Sequence, residues 1–276
     1  MSDLVRFTKM SGAGNDFVVL EGRAWAALSG DRAAWVRAVC RRGLSVGADG
    51  VLVVSAEGAG RVRVVFLNPD GGEAFCGNGS RCAARYAATR NVASATEMVL
   101  VTSVGEVRAV VDGGVVTLTL PPPRDLGAIV LEQDAVTFSG RWVDAGVPHV
   151  VLPVRGLAAY PLERIAPSLR RHPALGLSGA NVNLVENDAR GRVHVRTWER
   201  GVENETLACG TGAVAVALAA RLTGADETVV VVPRSGSMLT VTLPGDPGHP
   251  DCALLSGDAR FVFEGSLDPE ATVSAA

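Results

Sequence analysis

Two stretches of the chain hold the residues best placed to do chemistry. "EAFCGNGSRCAARYAA" (73–88) and "ETLACGTGAVAVALAA" (205–220) each run from an acidic residue through Cys-Gly-x-Gly into an alanine-rich segment. That pattern puts Cys76 and Cys209 at the first turn of a helix. The glycines let the backbone approach a ligand without a Cβ in the way. The unpaired N–H groups of the helix start point at whatever anion sits there, and the positive end of the dipole favours a thiolate. One such turn is an anion site with a reactive sulfur. Two of them, related by an internal pseudo-twofold, can hold a small ligand with one sulfur on each side. That arrangement suits inversion at a carbon acid: one thiolate removes the α-proton from one face and the opposite thiol returns a proton to the other. The helix N-termini would then stabilise the charge developing on a neighbouring carboxylate.

Other chemistries fit the composition less well. A pyridoxal phosphate enzyme needs a Schiff-base lysine, and the chain has one lysine, Lys9, in a strand-like stretch near its start. No cofactor is therefore expected. The five cysteines (40, 76, 82, 209, 252) are odd in number and widely spaced, which is not a disulfide framework. No C-x2-C spacing occurs and the four histidines (149, 172, 194, 249) are scattered, so no metal is expected. Cys40, Cys82 and Cys252 read as small core hydrophobes. A Cys–His hydrolase would use one thiol and leave the second unexplained.

The elements that must position the two sulfurs are repeated as well. Sliding the 276-residue sequence against itself by about 132 residues aligns "GNDFVVL" (14–20) with "GVPHVVL" (146–152) and "GADGVLVV" (47–54) with "GANVNLVE" (179–186). It also aligns "RVRVVFLN" (61–68) with "RVHVRTWE" (192–199), Cys76 with Cys209, and Gly105 with Gly236. The alternating, β-branched segments read as half-buried strands. "SRCAARYAATR" and "AVAVALAARLTG" read as helices, the second with Gly224 as its C-cap. Asp112-Gly113-Gly114 reads as a hairpin turn, and "PPPRDLG" (121–127) as the linker between halves. The late segment "SGDARFVFEG" (256–265) reads as a strand returning to the first half. The expected fold is α+β, with two pseudo-symmetric strand-rich domains, each packing a central helix in a curved sheet. Residues 1–121 plus 256–276 would form the half with Cys76, and 122–255 the half with Cys209, the active site lying in the cleft between them.

With 47% hydrophobic residues the chain can build a core, and a net charge of −3 with dispersed basic residues gives no electrostatic case for nucleic acid or an anionic membrane. The first residues lack the apolar core of a signal peptide, and the longest apolar run, "GAVAVALAA", is too short to span a bilayer. A cytoplasmic location and a small-molecule substrate are expected.

The sequence resembles the diaminopimelate epimerase family in "FTKMSGAGNDFVVLEG" (7–22), "NPDGGEAFCGNGSRCAA" (68–84), "GVPHVV" (146–151), "NVNLV" (181–185) and "RTWERGVENETLACGTGA" (196–213). These motifs cover nearly the whole chain in order. The resemblance implies two mirrored α/β domains, a pyridoxal-independent interconversion of LL- and meso-2,6-diaminopimelate on the route to lysine and peptidoglycan, and a homodimer. It implies Cys76 as proton donor and Cys209 as acceptor in the LL-to-meso direction. It also implies Asn15, Asn68, Gly77, Asn78, Asn181, Glu199, Arg200, Gly210 and Thr211 as substrate contacts, and His149 and Glu199 as residues that tune the thiols. Read singly, Asn15 and Asn181 are ordinary strand-end residues and Glu199–Arg200 a solvated pair. Three positions depart from the pattern of some members: Val147 replaces Asn, Gly50 replaces Gln, and Phe263 replaces a tyrosine that supports dimerisation. Proline racemase or hydroxyproline epimerase is the alternative enzyme. A phenazine-biosynthesis-like isomerase lacks the cysteine pair, and a non-catalytic thiol or metal-binding protein is the alternative class.

Overall fold

The computed structural model describes residues 4–93 and 95–272. The chain begins with β1 (Val5–Gly12), β2 (Asn15–Glu21), α1 (Gly22–Ala27), α2 (Arg32–Cys40), β3 (Gly50–Ala56) and β4 (Arg61–Leu67). It continues through β5 (Glu73–Ala74), α3 (Gly77–Thr89), β6 (Glu97–Thr102), β7 (Gly105–Asp112) and β8 (Val115–Leu120). Next come β9 (Arg124–Gln133), β10 (Val136–Asp144), β11 (Pro148–Pro153), α4 (Leu162–Leu169), β12 (Asn181–Asn187) and β13 (Val193–Glu199). The last elements are β14 (Asn204–Thr206), α5 (Gly210–Arg221), β15 (Thr228–Val232), β16 (Leu239–Thr242), the short pair β17 (Gly245–Asp246) and β18 (His249–Pro250), β19 (Ala253–Asp258) and β20 (Arg260–Leu267).

These elements form two compact units, Met1–Leu118 with Asp258–Ala276, and Thr119–Gly257. The boundary therefore falls inside β8 and at the end of β19. Of the proline-rich linker expected at 121–127, only 121–123 is irregular; Arg124 already belongs to β9. Among the described residues, no helix is long and apolar enough to cross a membrane.

Strand pairing is the same in each unit. In the first, β1 pairs antiparallel with β20 and with β2, β2 runs parallel to β3, β3 is antiparallel to β4, and β4 pairs antiparallel with β5 and parallel with β6, which turns back as β7. In the second, β10 takes the place of β1, with β9 in the place of β20. Then β11, β12, β13, β14, β15 and β16 repeat the directions of β2 to β7. A β-bulge recurs at the matching point, between Lys9 and Met10 in β1 and between Trp142 and Val143 in β10.

Each sheet wraps a buried helix. α3 packs on β1–β4, β6 and β7, and α5 on β10–β13, β15 and β16. α5 is apolar all round, which suits a helix enclosed by its own sheet. Its C-terminus closes as expected on Gly224: the glycine sits at φ +101, its N–H donates to Arg221 O at 3.1 Å, and the next N–H, of Ala225, donates to Ala220 O at 3.1 Å, the bond pair of a Schellman cap. The expected turn between β7 and β8 is present, with Gly113 at φ +55.

Candidate active site

In the first unit Cys76 is the N-cap of α3, partly buried, and its Sγ accepts from the Gly79 N–H at 3.4 Å. Asn78 is buried in the first turn, and its amide donates to Asn15 Oδ1 at 2.6 Å. Asn15, at the head of β2, donates in turn to Asp49 Oδ2 at 3.0 Å. The amide oxygen of Asn78 accepts from Arg81, a fully buried guanidinium one turn into the helix, at 2.8 Å. Burial pushes the Arg81 pKa down, opposed by Cys82, Cys76 and the Asp258 carboxylate. Asn68 closes a tight turn: its N–H donates to Gly72 O and its carbonyl accepts from Gly71 N. Gly77 is the first residue of α3.

Lys9 belongs to the strand framework beneath this turn. It lies in the middle of β1 at 6% exposure, with Nζ on Asp16 at 2.6 Å and on the Gly47 carbonyl. Burial would raise the Asp16 pKa, but Arg42 and Lys9 outweigh it and hold the carboxyl below its ordinary value. Gly50 has a steric reason: a Cβ there would lie 2.3 Å from the Phe66 ring and 2.6 Å from Leu67 O. Phe263 is half exposed on β20 and packs edge-on against Phe7 at 5.8 Å.

In the second unit Cys209 is the N-cap of α5, partly buried, with Sγ 3.5 Å from Thr211 Oγ1. Gly210 and Thr211 form the first turn. Thr211 Oγ1 lies 3.0 Å from Nε2 of His149, a fully buried imidazole at the start of β11. Burial first, and the Arg200 charge second, push the His149 pKa down to about 3, so the ring is neutral. Asn181, buried at the head of β12, donates to Pro148 O at 3.2 Å and accepts the Arg200 N–H at 2.7 Å. Glu199 ends β13 and Arg200 follows it, both half buried. Val147 sits half buried before β11.

Within each unit the structure gathers the residues expected at the helix start: Asn15, Gly77 and Asn78 around Cys76, and His149, Gly210 and Thr211 around Cys209, with Asn181 and Arg200 beside His149. Two buried participants were not singled out in the sequence. Asn183 sits inside the quoted motif "NVNLV" and its amide approaches His149 Nδ1 at 3.1 Å. Arg81 follows the CGxG turn by two residues, and only its place one turn below Asn78 reveals it. Of the other thiols, Cys40 and Cys82 are buried, with pKa values pushed up to about 11 and about 12 by desolvation. Cys252 is only partly buried, so the reading of it as a core hydrophobe does not hold. No group of three or more His, Cys, Asp or Glu among the described residues could hold a metal ion. A recess of about 870 Å³ in the second unit, bordered by Tyr160, His194, Arg196 and Arg234, includes none of the site residues.

The fold is that of a class of two-unit, strand-rich proteins with a helix in each sheet. Solved structures sharing it include a hydroxyproline epimerase from Agrobacterium vitis with bound trans-4-hydroxy-L-proline (19% identity, 98% of this chain and 95% of that one, TM-score 0.68). A phenazine biosynthesis protein of the PhzF family from Bacillus anthracis shares it too (14% identity, 96% and 99%, TM-score 0.71). Sequence narrows the class: the diaminopimelate epimerase family model matches residues 7–119 and 141–262. Diaminopimelate epimerases of Hydrogenobaculum sp. and Aquifex aeolicus are each 36% identical to this chain, the first over 95% of it and 98% of its own length, the second over 96% and 99%. The chain belongs to the diaminopimelate epimerase family.

Proposed function

We propose that this protein interconverts LL- and meso-2,6-diaminopimelate without a cofactor, using Cys76 and Cys209 as the two bases. The observation that carries the reading is the equivalence of the two units: each sets a CGxG cysteine at the N-cap of a buried helix in the same strand framework. The mechanism calls for one thiol on each face of the substrate's α-carbon. In the LL-to-meso direction the Cys209 thiolate takes the α-proton, and the electron pair left on carbon is stabilised as negative charge on the adjacent carboxylate by the helix-start N–H groups. The Cys76 thiol then delivers its proton to the opposite face, leaving Cys209 as thiol and Cys76 as thiolate. Asn15, Asn68, Asn78, Asn181, Glu199, Arg200 and Thr211 supply donors and acceptors for a substrate polar at both ends. The protein works in the cytoplasm as a homodimer.

The test is a substrate panel in deuterium oxide with no added cofactor, followed by proton NMR. Exchange and inversion of LL-diaminopimelate, with none of proline or hydroxyproline, is the expected result. Exchange of proline instead would move the protein to the racemase reading.

A further inference from the structure

The interior beneath the two helix starts differs between the units at three equivalent positions. In the first unit they are Phe17, Leu52 and Phe66, with Phe17 and Phe66 packed edge-to-face at 5.9 Å. Strand register makes His149, Asn183 and Thr197 their counterparts: Leu52 pairs with Phe66, and Asn183 pairs with Thr197. The space above agrees, since a Cβ on Gly79 would meet Leu52 and Phe17, and one on Gly212 would meet Asn183. Polar groups buried this deeply are costly unless each finds a partner.

The partners here define a direction. Thr197 Oγ1 donates to Asn183 Oδ1 at 2.9 Å, and Asn183 Nδ2 donates to the Val150 carbonyl at 3.1 Å, which fixes the orientation of the amide. The other N–H of Nδ2 then faces His149 Nδ1 at 3.1 Å, closer than Asn181 Nδ2 comes to Nε2 at 3.4 Å while that amide donates to the Pro148 carbonyl, so Nδ1 is the ring nitrogen that accepts. A neutral imidazole that accepts at Nδ1 carries its proton on Nε2, which points to Thr211 Oγ1. With that oxygen accepting from the ring, the hydroxyl proton is left for Cys209 Sγ. We infer that Asn183 is a positioning residue, holding His149 in the Nε2–H tautomer so that Thr211 donates a hydrogen bond to Cys209 and favours its thiolate. The inference rests on Cys209 acting as a base. Position 78, which matches Thr211, is an asparagine that donates to Asn15 and accepts from Arg81, and Phe17 stands where the second unit has His149, so the first unit has no imidazole in this place. The charged groups acting on the imidazole are Arg200, which opposes its protonation, and Asp144 at the end of β10, which favours it.

The test needs no substrate. Peptide-resolved alkylation by iodoacetamide against pH gives separate midpoints for Cys76 and Cys209 in one sample. In Asn183→Leu, which cannot donate, and in Asn183→Asp, whose carboxylate draws the proton to Nδ1, the Cys209 midpoint rises by about one pH unit while that of Cys76 stays in place. Imidazole nitrogen NMR of His149 shows the Nε2–H form in the parent and loses it in Asn183→Asp. Should Asn183→Leu not fold, Thr211→Val carries the same expectation from outside the strand core. A Cys209 midpoint unmoved in the folded variants, or moved equally with that of Cys76, overturns the inference. A shift at Cys209 in a protein that does not invert diaminopimelate would uphold the relay and reject the substrate.

Discussion

A neutral imidazole sealed in a core has a pH signature, and His149 makes it measurable. In the unfolded chain this ring gains a proton as pH falls through about 6.5, whereas in the folded chain it resists until about 3. Between those values the unfolded state binds more protons, so stability falls as pH drops through the interval and is insensitive to this group above it. Replacing His149 with Gln should flatten the dependence of unfolding free energy on pH between 6.5 and 4, as followed by urea denaturation; an unchanged slope would mean the ring is not held neutral. The placing of Cys76 and Cys209 at two helix starts was legible in the sequence because that motif is written twice, whereas Asn15, His149 and Asn181 stood out only through the family resemblance. Asn183 was not legible, for a physical reason. The sequence match of 47–54 with 179–186 sets it opposite Val51, whereas the ladder sets it opposite Leu52. A one-residue slip turns a strand side chain to the other face, so the change from an apolar trio to a polar one stayed hidden.

The strands impose constraints of their own. β3 begins at Gly50 because the Phe66 ring and the Leu67 carbonyl occupy the place of a side chain. Gly50→Gln, the residue of some family members, is expected to lose about 2 kcal/mol or more of stability by overpacking, read from denaturant midpoints; no loss would show that the neighbouring strand yields easily. β1 carries the buried Lys9 at its bulge, and Lys9→Met leaves the Gly47 carbonyl without its charged partner and Asp16 with one cation fewer. A cost of about 1–3 kcal/mol is expected, with epimerisation retained once the protein is folded. Loss of activity at full stability would give this lysine a chemical role. The β-rich character and both central helices could be read from alternation and alanine content. The end of α5 could be read too, because only a residue at ease with positive φ closes a Schellman cap, and Gly224 does so at φ +101.

At the level of the whole chain, duplication explains why two helix starts of one kind exist, and their divergence explains how they can differ in proton affinity. The unit boundary at Leu118 and Gly257 was harder to read than the repeat, because strands run through it and the proline run lies just beyond. If both sulfurs face one small substrate, mild oxidation should yield a peptide joining Cys76 to Cys209, with activity lost and then restored by reductant; full activity under oxidant with both thiols alkylatable would contradict that placement. The most direct measurement is the rate of LL-to-meso inversion of diaminopimelate in deuterium oxide for the parent, Cys76→Ser and Cys209→Ser proteins, with no cofactor added. The parent should invert the substrate and place one solvent deuterium on the inverted carbon, and each serine variant should fall by roughly 10²–10⁴-fold. A parent that leaves diaminopimelate unchanged, or a variant that inverts it at near the parent rate, would contradict the two-thiol mechanism.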